Sequence, residues 1–524
     1  MTPATGFTSY TDVLLAALAR DRSRPVLTTD DGDEVTASAL YDTVHRMAAV
    51  LADRGIGHGR TVSLLSGNRP EVLAARYAAN HLGARVVFLY DGMAAETLAR
   101  IAESAETALL LVDPALHGTA RALLQHTRGP APDVLTLGPA PAAAGPAADL
   151  VPDLLAACAA LPATPEVPRG AVGPEDDWCI RHTGGTTGVP KGVRMPHAPY
   201  AGMLLHHRME GAGDPPRFLA CTPLAHLAGV LTDATLAAGG TVVLHRAFDP
   251  AAVLAAVARD RITHLWLLPP LLYRLLDAPA LPATDLSSLT RITYGGCAAS
   301  ASRLARAAEV FGPVLYGVYG MSEAMTISEA RPEDHRAAGP GGRITAGRAL
   351  PGVTLAIRDA DGRELPAGER GEVHVRSAGV MTGYWKQPEL TAQVLPGDGW
   401  LRTGDVGILD DDGRLYLVDR VKDLIIVVGG HVHPAEVEEL LHTHPAVAHC
   451  AVYGVRGPDE TEEVHAAVVP APGHRVDPAA LRAFVIEHQG ALYAPAAVHL
   501  VDAIPLTPVG KPDKTRLRAM AAAA

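Results

Sequence analysis

Lysine is nearly missing from this chain. Among its 45 basic residues, only Lys191, Lys386, Lys422, Lys511 and Lys514 are lysines, so arginine carries almost all the positive charge, as a GC-rich coding bias would give. A lysine kept against that bias points to a task that needs a compact ammonium group. Cysteine is also scarce. Cys158, Cys179, Cys221, Cys297 and Cys450 are odd in number and scattered, with no CxxC pair. That excludes a disulfide frame or a zinc ribbon and reads as reduced core thiols of a cytoplasmic protein. No apolar run reaches the length of a membrane span. The opening MTPATGFTSY has no basic stretch followed by an apolar one, so no signal peptide is expected. A basic face is missing as well: the formal charge is -12 with both signs interspersed, which argues against nucleic-acid binding.

What remains is a globular composition, 48% apolar and 19% charged, in a chain of 524 residues. That length is too great for one core and predicts a large domain with a smaller one. From about residue 10 to 125, helical and strand patterns alternate. Ala39–Leu51 carries apolar residues at helical spacing and ends at Gly55-Ile56-Gly57. Thr61–Leu65 reads as a strand, Pro70–Asn80 as a helix capped by Gly83, and Arg85–Tyr90 as a strand. Such βα units predict an α/β layered fold. The Ala- and Pro-rich stretch 127–175 reads as a loose connection holding one helix.

A second α/β stretch runs from Arg217 to Tyr316, with strands at Thr241–His245, His264–Leu268 and Arg291–Tyr294. From Gly347 to Leu417, short strands at Thr354–Arg358, Gly371–Arg376 and Leu415–Val418 are divided by Asp-Gly turns at 361–362 and 412–413, a hairpin pattern. After Arg420 the texture is α+β: strand Asp423–Val428, helix Pro434–His442, strand Val447–Tyr453 and helix Pro478–His488. The expected domains are therefore 1–419, a large multi-subdomain α/β body, and 420–524, a small α+β domain.

The sharpest local feature is Thr183-Gly184-Gly185-Thr186-Thr187-Gly188-Val189-Pro190-Lys191-Gly192. Its glycines and threonines supply backbone N–H groups and hydroxyls that can wrap a polyphosphate, and Lys191 adds a neutralising charge. No GK[ST] follows at Walker spacing. The segment resembles the phosphate loop of the adenylate-forming superfamily, which includes acyl- and aryl-CoA ligases, adenylation domains and luciferases. The resemblance extends over nearly the whole chain and in the family's order. It includes Pro223-Leu224-Ala225-His226, Tyr294-Gly295-Gly296-Cys297 and Tyr319-Gly320-Met321-Ser322-Glu323. Further on come Gly371-Glu372, Gly383-Tyr384, Trp400-Leu401-Arg402-Thr403-Gly404-Asp405, Asp419-Arg420-Val421-Lys422-Asp423 and Pro508-Val509-Gly510-Lys511.

The resemblance implies a role for each. Glu323 resembles a Mg²⁺ ligand, a hard oxygen suited to an ion that bridges ATP phosphates. Ser322 keeps a hydroxyl near the α-phosphate. Gly295, Gly296 and Cys297, with Tyr319, Gly320 and Met321, resemble the nucleotide site, the glycines forming an adenine shelf. Asp405 and Arg420 resemble the ribose-binding pair. Lys511 resembles the mobile catalytic lysine that bridges the α-phosphate and the substrate carboxylate, lowering the barrier where two anions crowd. Lys422 takes the hinge position about which the C-terminal lid rotates between half-reactions. His226 resembles the histidine that gates the acyl pocket beside the thiol entrance.

There are departures from the pattern. Gly184 replaces a serine, Asp419 a glycine found in many ligases, and Val318 a frequent glycine, which shortens the acid pocket. Leu227 stands where activators of 2-hydroxybenzoates carry asparagine. The resemblance thus implies an ATP- and Mg²⁺-dependent enzyme that activates a small or aromatic carboxylic acid as acyl-AMP and passes it to CoA. Rival readings are a stand-alone enzyme loading a carrier protein, a diazotase activating nitrite for an aromatic amine, and a non-catalytic binding protein of the same fold. No membrane or nucleic-acid partner is implied.

Overall fold

Thr61–Leu65 is buried at every position, and Arg85–Leu89 at all but its first. Apolar runs of this kind belong to the middle of a parallel sheet covered on both faces. The computed structural model describes residues 6–139, 151–183, 191–206, 215–336, 339, 343–420, 425–427, 430–456, 462–507 and 510–523. It divides into two compact units. One comprises residues 1–266, 280–290 and 379–391; the other comprises 267–279, 291–378 and 392–524.

In the first unit a six-stranded sheet runs in the order Asp133–Thr136, Thr107–Val112, Thr61–Leu65, Arg85–Leu89, Asp177–Thr183, Lys191–Pro196. All neighbours are parallel except the last pair, in which Thr183 lies opposite Lys191. Leu65, Val87, Leu110 and Ile180 form the core under it. The segment around Gly383-Tyr384 docks on the outer strand: Arg194 N–H donates to Gly383 O at 3.1 Å and Trp385 N–H to Gly192 O at 2.7 Å. Gly192 is required there, because a Cβ would stand 2.9 Å from Ile180 Cγ2 and 3.1 Å from His182 Nε2. A second parallel set in this unit comprises Pro25–Thr29, Thr241–Leu244, Arg217–Ala220 and the start of His264–Leu267, with Glu34–Thr36 antiparallel at its edge.

In the second unit the strand order is Arg291–Gly295, Leu315–Met321, Met325–Ala330, Gly347–Ala349, Arg414–Arg420, Leu401–Leu409, Arg370–Arg376, Thr354–Arg358. Only the first pair is parallel; the rest are antiparallel. Gly413 turns the 401–420 hairpin with φ +74°. The C-terminal part of this unit has its own sheet, Val447–Arg456, Glu462–Pro470 and Ala497–Leu500. Helices Pro434–Thr443 and Pro478–Gln489 contribute Val437, Leu441, Leu481 and Val485 to the core beneath it.

The strands and helices named from the sequence lie within a few residues of those in the structure, although the ends of Asp423–Val428 fall outside the described residues, and strands not named beforehand, such as Leu401–Leu409 and Glu462–Pro470, are also present. The stretch 127–175 holds the expected helix, Leu154–Ala159, but also the edge strand Asp133–Thr136. That strand is only four residues long and begins with an exposed aspartate, so it carries too little pattern to stand out.

Candidate active site

The first unit presents two features. The strand Asp177–Thr183 ends where the Gly/Thr segment begins, and Lys191 opens the returning strand. Residues Gly184, Gly185, Thr186, Thr187 and Gly188 lie outside the described residues, as does the Thr183 side chain. The Lys191 ammonium stands 5.3 Å from the centre of the Tyr384 ring, within cation–π range. Burial pushes the imidazole of His182 down to about 4, so it is neutral beside the loop at physiological pH.

The second feature is His226. Its segment is fixed by Asn68, whose side-chain amide donates to Thr222 O at 2.9 Å and His245 O at 3.0 Å and accepts from Leu224 N–H at 3.0 Å. His226 then caps the helix Leu227–Ala237, and its ring stacks on Tyr90, with centroids 5.1 Å apart and planes 3° from parallel. Tyr90 follows directly after the strand Arg85–Leu89, at the carboxyl end of the parallel strands, where open α/β sheets bind ligands.

The second unit gathers more of the expected residues. Gly295 ends its strand opposite Val318, and a Cβ there would lie 2.2 Å from Val318 O. Only glycine allows this approach, which leaves the flat backbone shelf that a planar ring needs. Gly320 is equally constrained, because a Cβ there would lie 2.3 Å from Met325 O, so the Tyr319–Met325 hairpin closes tightly. Ser322 and Glu323 occupy its tip, and the Glu323 side chain is buried. On the same strand Tyr319 donates its hydroxyl hydrogen to Asp405 Oδ2 at 2.7 Å. Asp405 is buried and lies in register with Arg420, whose side chain is outside the described residues.

The shelf also senses the C-terminal residues. Burial pushes the Cys297 thiol up to about 12, and the Lys511 charge pulls it the other way. Lys511 follows Gly510 in a turn, where Lys511 N–H donates to Thr507 Oγ1 at 3.2 Å and Thr507 N–H to Lys511 O at 2.7 Å. A Cβ on Gly510 would touch Leu268 at 3.4 Å, so this turn packs on the start of helix Pro269–Leu276. Lys422 lies outside the described residues.

Glu372 belongs to a quoted motif, but sequence alone gave it no role. One carboxylate oxygen accepts from Gly404 N–H at 3.1 Å, and the other from Arg402 Nη2 at 2.9 Å. With Thr403 Oγ1 donating to Val373 O at 2.7 Å, it fixes the turn that delivers Asp405. Burial would raise the Glu372 carboxyl, but the contacts with His374, Arg402 and Gly404 bring it down to about 2. Tyr90 is the other residue that sequence reasoning missed; the only signal was an aromatic side chain at the end of a parallel strand.

A glycine shelf, a tyrosine–aspartate pair, a buried hairpin glutamate and a nearby lysine are suited to a nucleotide whose phosphate is attacked. Comparison with known proteins defines the class. Residues 14–385 match the AMP-binding enzyme family and residues 436–511 the AMP-binding enzyme C-terminal domain. The chain belongs to the AMP-binding, adenylate-forming enzyme family, with a large α/β N-terminal domain and a small C-terminal one. It is an enzyme of the AMP-forming acid ligase type. The chain is similar to the medium/long-chain-fatty-acid–CoA ligase FadD8 of Mycobacterium tuberculosis, 37% identical over 97% of this chain and 89% of that one. It also resembles the feruloyl-CoA synthase of an Amycolatopsis species, 34% identical over 93% and 94%. Among solved structures, the amide bond synthetase McbA from Marinactinospora thermotolerans superposes with a TM-score of 0.84. It is 40% identical, covering 98% of this chain and 99% of that one. Among the described residues, no helix is long and apolar enough to cross a membrane.

Proposed function

We propose that this enzyme uses Mg·ATP to convert a small or aromatic carboxylic acid into its acyl-AMP and then passes the acyl group to CoA. The acid's carboxylate attacks the α-phosphorus, the bond to the bridging oxygen breaks, and pyrophosphate leaves. Asp405 accepts hydrogen bonds from the ribose hydroxyls while Tyr319 holds its carboxylate in place, and the Gly295–Cys297 shelf takes the adenine. Lys511 stabilises the charge that accumulates as carboxylate and phosphate approach. Glu323 would hold Mg²⁺, which neutralises phosphate charge. His226 guards the acyl site, and Val318, whose side chain faces Gly295, limits the length of the acid. After adenylation the domain beginning near residue 420 turns about Lys422, carrying Lys511 away.

The observation that carries this reading is the buried Tyr319–Asp405 pair at 2.7 Å, on the strand beside the glycine shelf. A second reading, in which an amine takes the acyl group to give an amide, is favoured by the 40% identity to an amide bond synthetase over 98% of the chain. The test is a pyrophosphate-release screen over aryl, short-chain and fatty acids. Product analysis follows with CoA, an amine panel, a carrier protein, or nitrite with an aminoarene. Pyrophosphate release with a short or aromatic acid and thioester formation are expected. Amide without thioester would move the acceptor to an amine, and no acid-dependent pyrophosphate would overturn adenylation.

A further inference from the structure

We infer that Tyr90 is a positioning residue that holds the His226 ring shut over the acyl-adenylate. This rests on the gating reading of His226 above. The backbone carrying His226 has little freedom. Asn68 ties the residues leading into its turn, His226 N–H donates to Pro223 O at 3.2 Å and Gly229 N–H to His226 O at 3.0 Å. Three residues on, a Cβ at Gly229 would lie 1.9 Å from Leu224 O, so the helix start is pressed directly on the preceding turn. The imidazole ring is therefore the part that can move, and its flat partner is Tyr90.

Tyr90 is itself well anchored. The strand before it pairs with Thr61–Leu65 on one side, and with Cys179 of the strand leading to the phosphate segment on the other. Its hydroxyl oxygen is buried, and burial raises the phenol far above its ordinary range, so Tyr90 is neutral at every working pH. What it offers the histidine is a ring face. A nearly parallel stack makes the closed position the resting one, and an incoming acceptor must displace the ring to reach the acyl carbon.

The experiment compares wild type, Tyr90→Phe and Tyr90→Leu, alone and with His226→Ala. Two readouts are used. The first is the rate at which diethylpyrocarbonate modifies His226, located by peptide mass spectrometry; it needs no catalysis. The second is hydroxamate formation from ATP, the best acid of the screen above and hydroxylamine, relative to pyrophosphate exchange. In that capture the hydroxylamine nitrogen bonds to the acyl carbon, the acyl–phosphate bond breaks, AMP leaves and a proton passes to solvent.

Tyr90→Leu is expected to raise both His226 modification and hydroxamate capture by about 3- to 10-fold, the range an aromatic stack supports. Pyrophosphate exchange stays within about 2-fold, a shift below what one stack is worth. Tyr90→Phe, which keeps the ring, behaves as wild type. In the His226→Ala background Tyr90→Leu adds nothing further to capture, because the two act through one contact. The inference is overturned if Tyr90→Leu leaves His226 modification unchanged, if its effect persists in full without His226, or if Tyr90→Phe matches Tyr90→Leu. Should Tyr90→Leu not fold, Tyr90→Met fills the site without a ring and carries the same outcomes. If no acid supports pyrophosphate exchange in wild type, the adenylation reading has failed, and His226 modification still decides whether Tyr90 holds the ring.

Discussion

Glu372 shows how one carboxylate can organise a site it does not enter. It accepts from Gly404 N–H and Arg402 across the turn that presents Asp405. Its carboxyl lies at about 2 in the folded protein, below the ordinary value of about 4.3 in the unfolded chain. Its contribution to stability is therefore complete above about pH 4.3 and is lost as pH falls toward 2. Glu372→Gln should be less stable than wild type at pH 7 and show a flatter acid-unfolding curve between these values. It should also raise the KM for ATP, because the Asp405 turn is loosened. Circular dichroism across the pH series and steady-state kinetics check this, and an acid-unfolding curve unchanged from wild type would refute it. The sequence gave Glu372 a place in a motif without a task, because the task depends on hydrogen bonds to Arg402 and Gly404, some thirty residues away. Gly295 was different: the sequence reading expected a shelf there, and a Cβ at that position would lie 2.2 Å from Val318 O, so the backbone leaves room for glycine alone.

At the scale of elements, three helices meet on one buried carboxylate and a fourth packs on the aromatic rings around it. Asp233 on helix Leu227–Ala237 pairs with Arg76 and accepts from Tyr77 at 2.5 Å, both on helix Pro70–His81, and from Tyr200 on helix His197–His206 at 2.6 Å. Tyr10, from helix Tyr10–Arg20, packs its ring edge-on against Tyr200 and Tyr77. Burial pushes the Asp233 carboxyl up, and the Arg76 charge with the two phenol hydroxyls opposes this. Asp233→Ala should cost about 3–5 kcal/mol, because it strands the buried Arg76 charge. Replacing Arg76 and Asp233 together by methionine should cost less than Asp233→Ala alone. Urea-unfolding midpoints measure both, and a double variant as unstable as the single one would contradict the account. Of these helices, the one read at Pro70–Asn80 was legible from its apolar spacing and the Gly83 cap. Their polar knot was not, because hydropathy periodicity records which face turns inward and not which buried polar groups meet there.

For the molecule as a whole, the question is how one chain would run the two half-reactions proposed for it. The shelf thiol of Cys297 senses the Lys511 charge, which suits the adenylation step. Lys511→Ala should slow acyl-AMP formation by on the order of a hundredfold, about 3 kcal/mol, since two anions then meet without a bridging cation. Conversion of supplied acyl-AMP to thioester should continue, because the proposed rotation has by then removed Lys511. Pyrophosphate exchange and a direct transfer assay separate the two. If both fall equally in a folded variant, Lys511 has no half-reaction preference and rotation loses its support.

By itself, the sequence determined the family, the α/β class with a small C-terminal domain, and the residues on which the chemistry is proposed to rest. Those depend on local order: a glycine where the backbone must come close, a lysine kept where arginine is the rule, an apolar period that marks strand or helix. Tertiary structure alone decided the partnerships. Tyr90 meets His226, Tyr319 meets Asp405 and Arg76 meets Asp233 across separations of 136, 86 and 157 residues. Such contacts form only when the chain folds, because chain spacing fixes a side chain's position along its own element and the packing of elements selects its neighbour across the core.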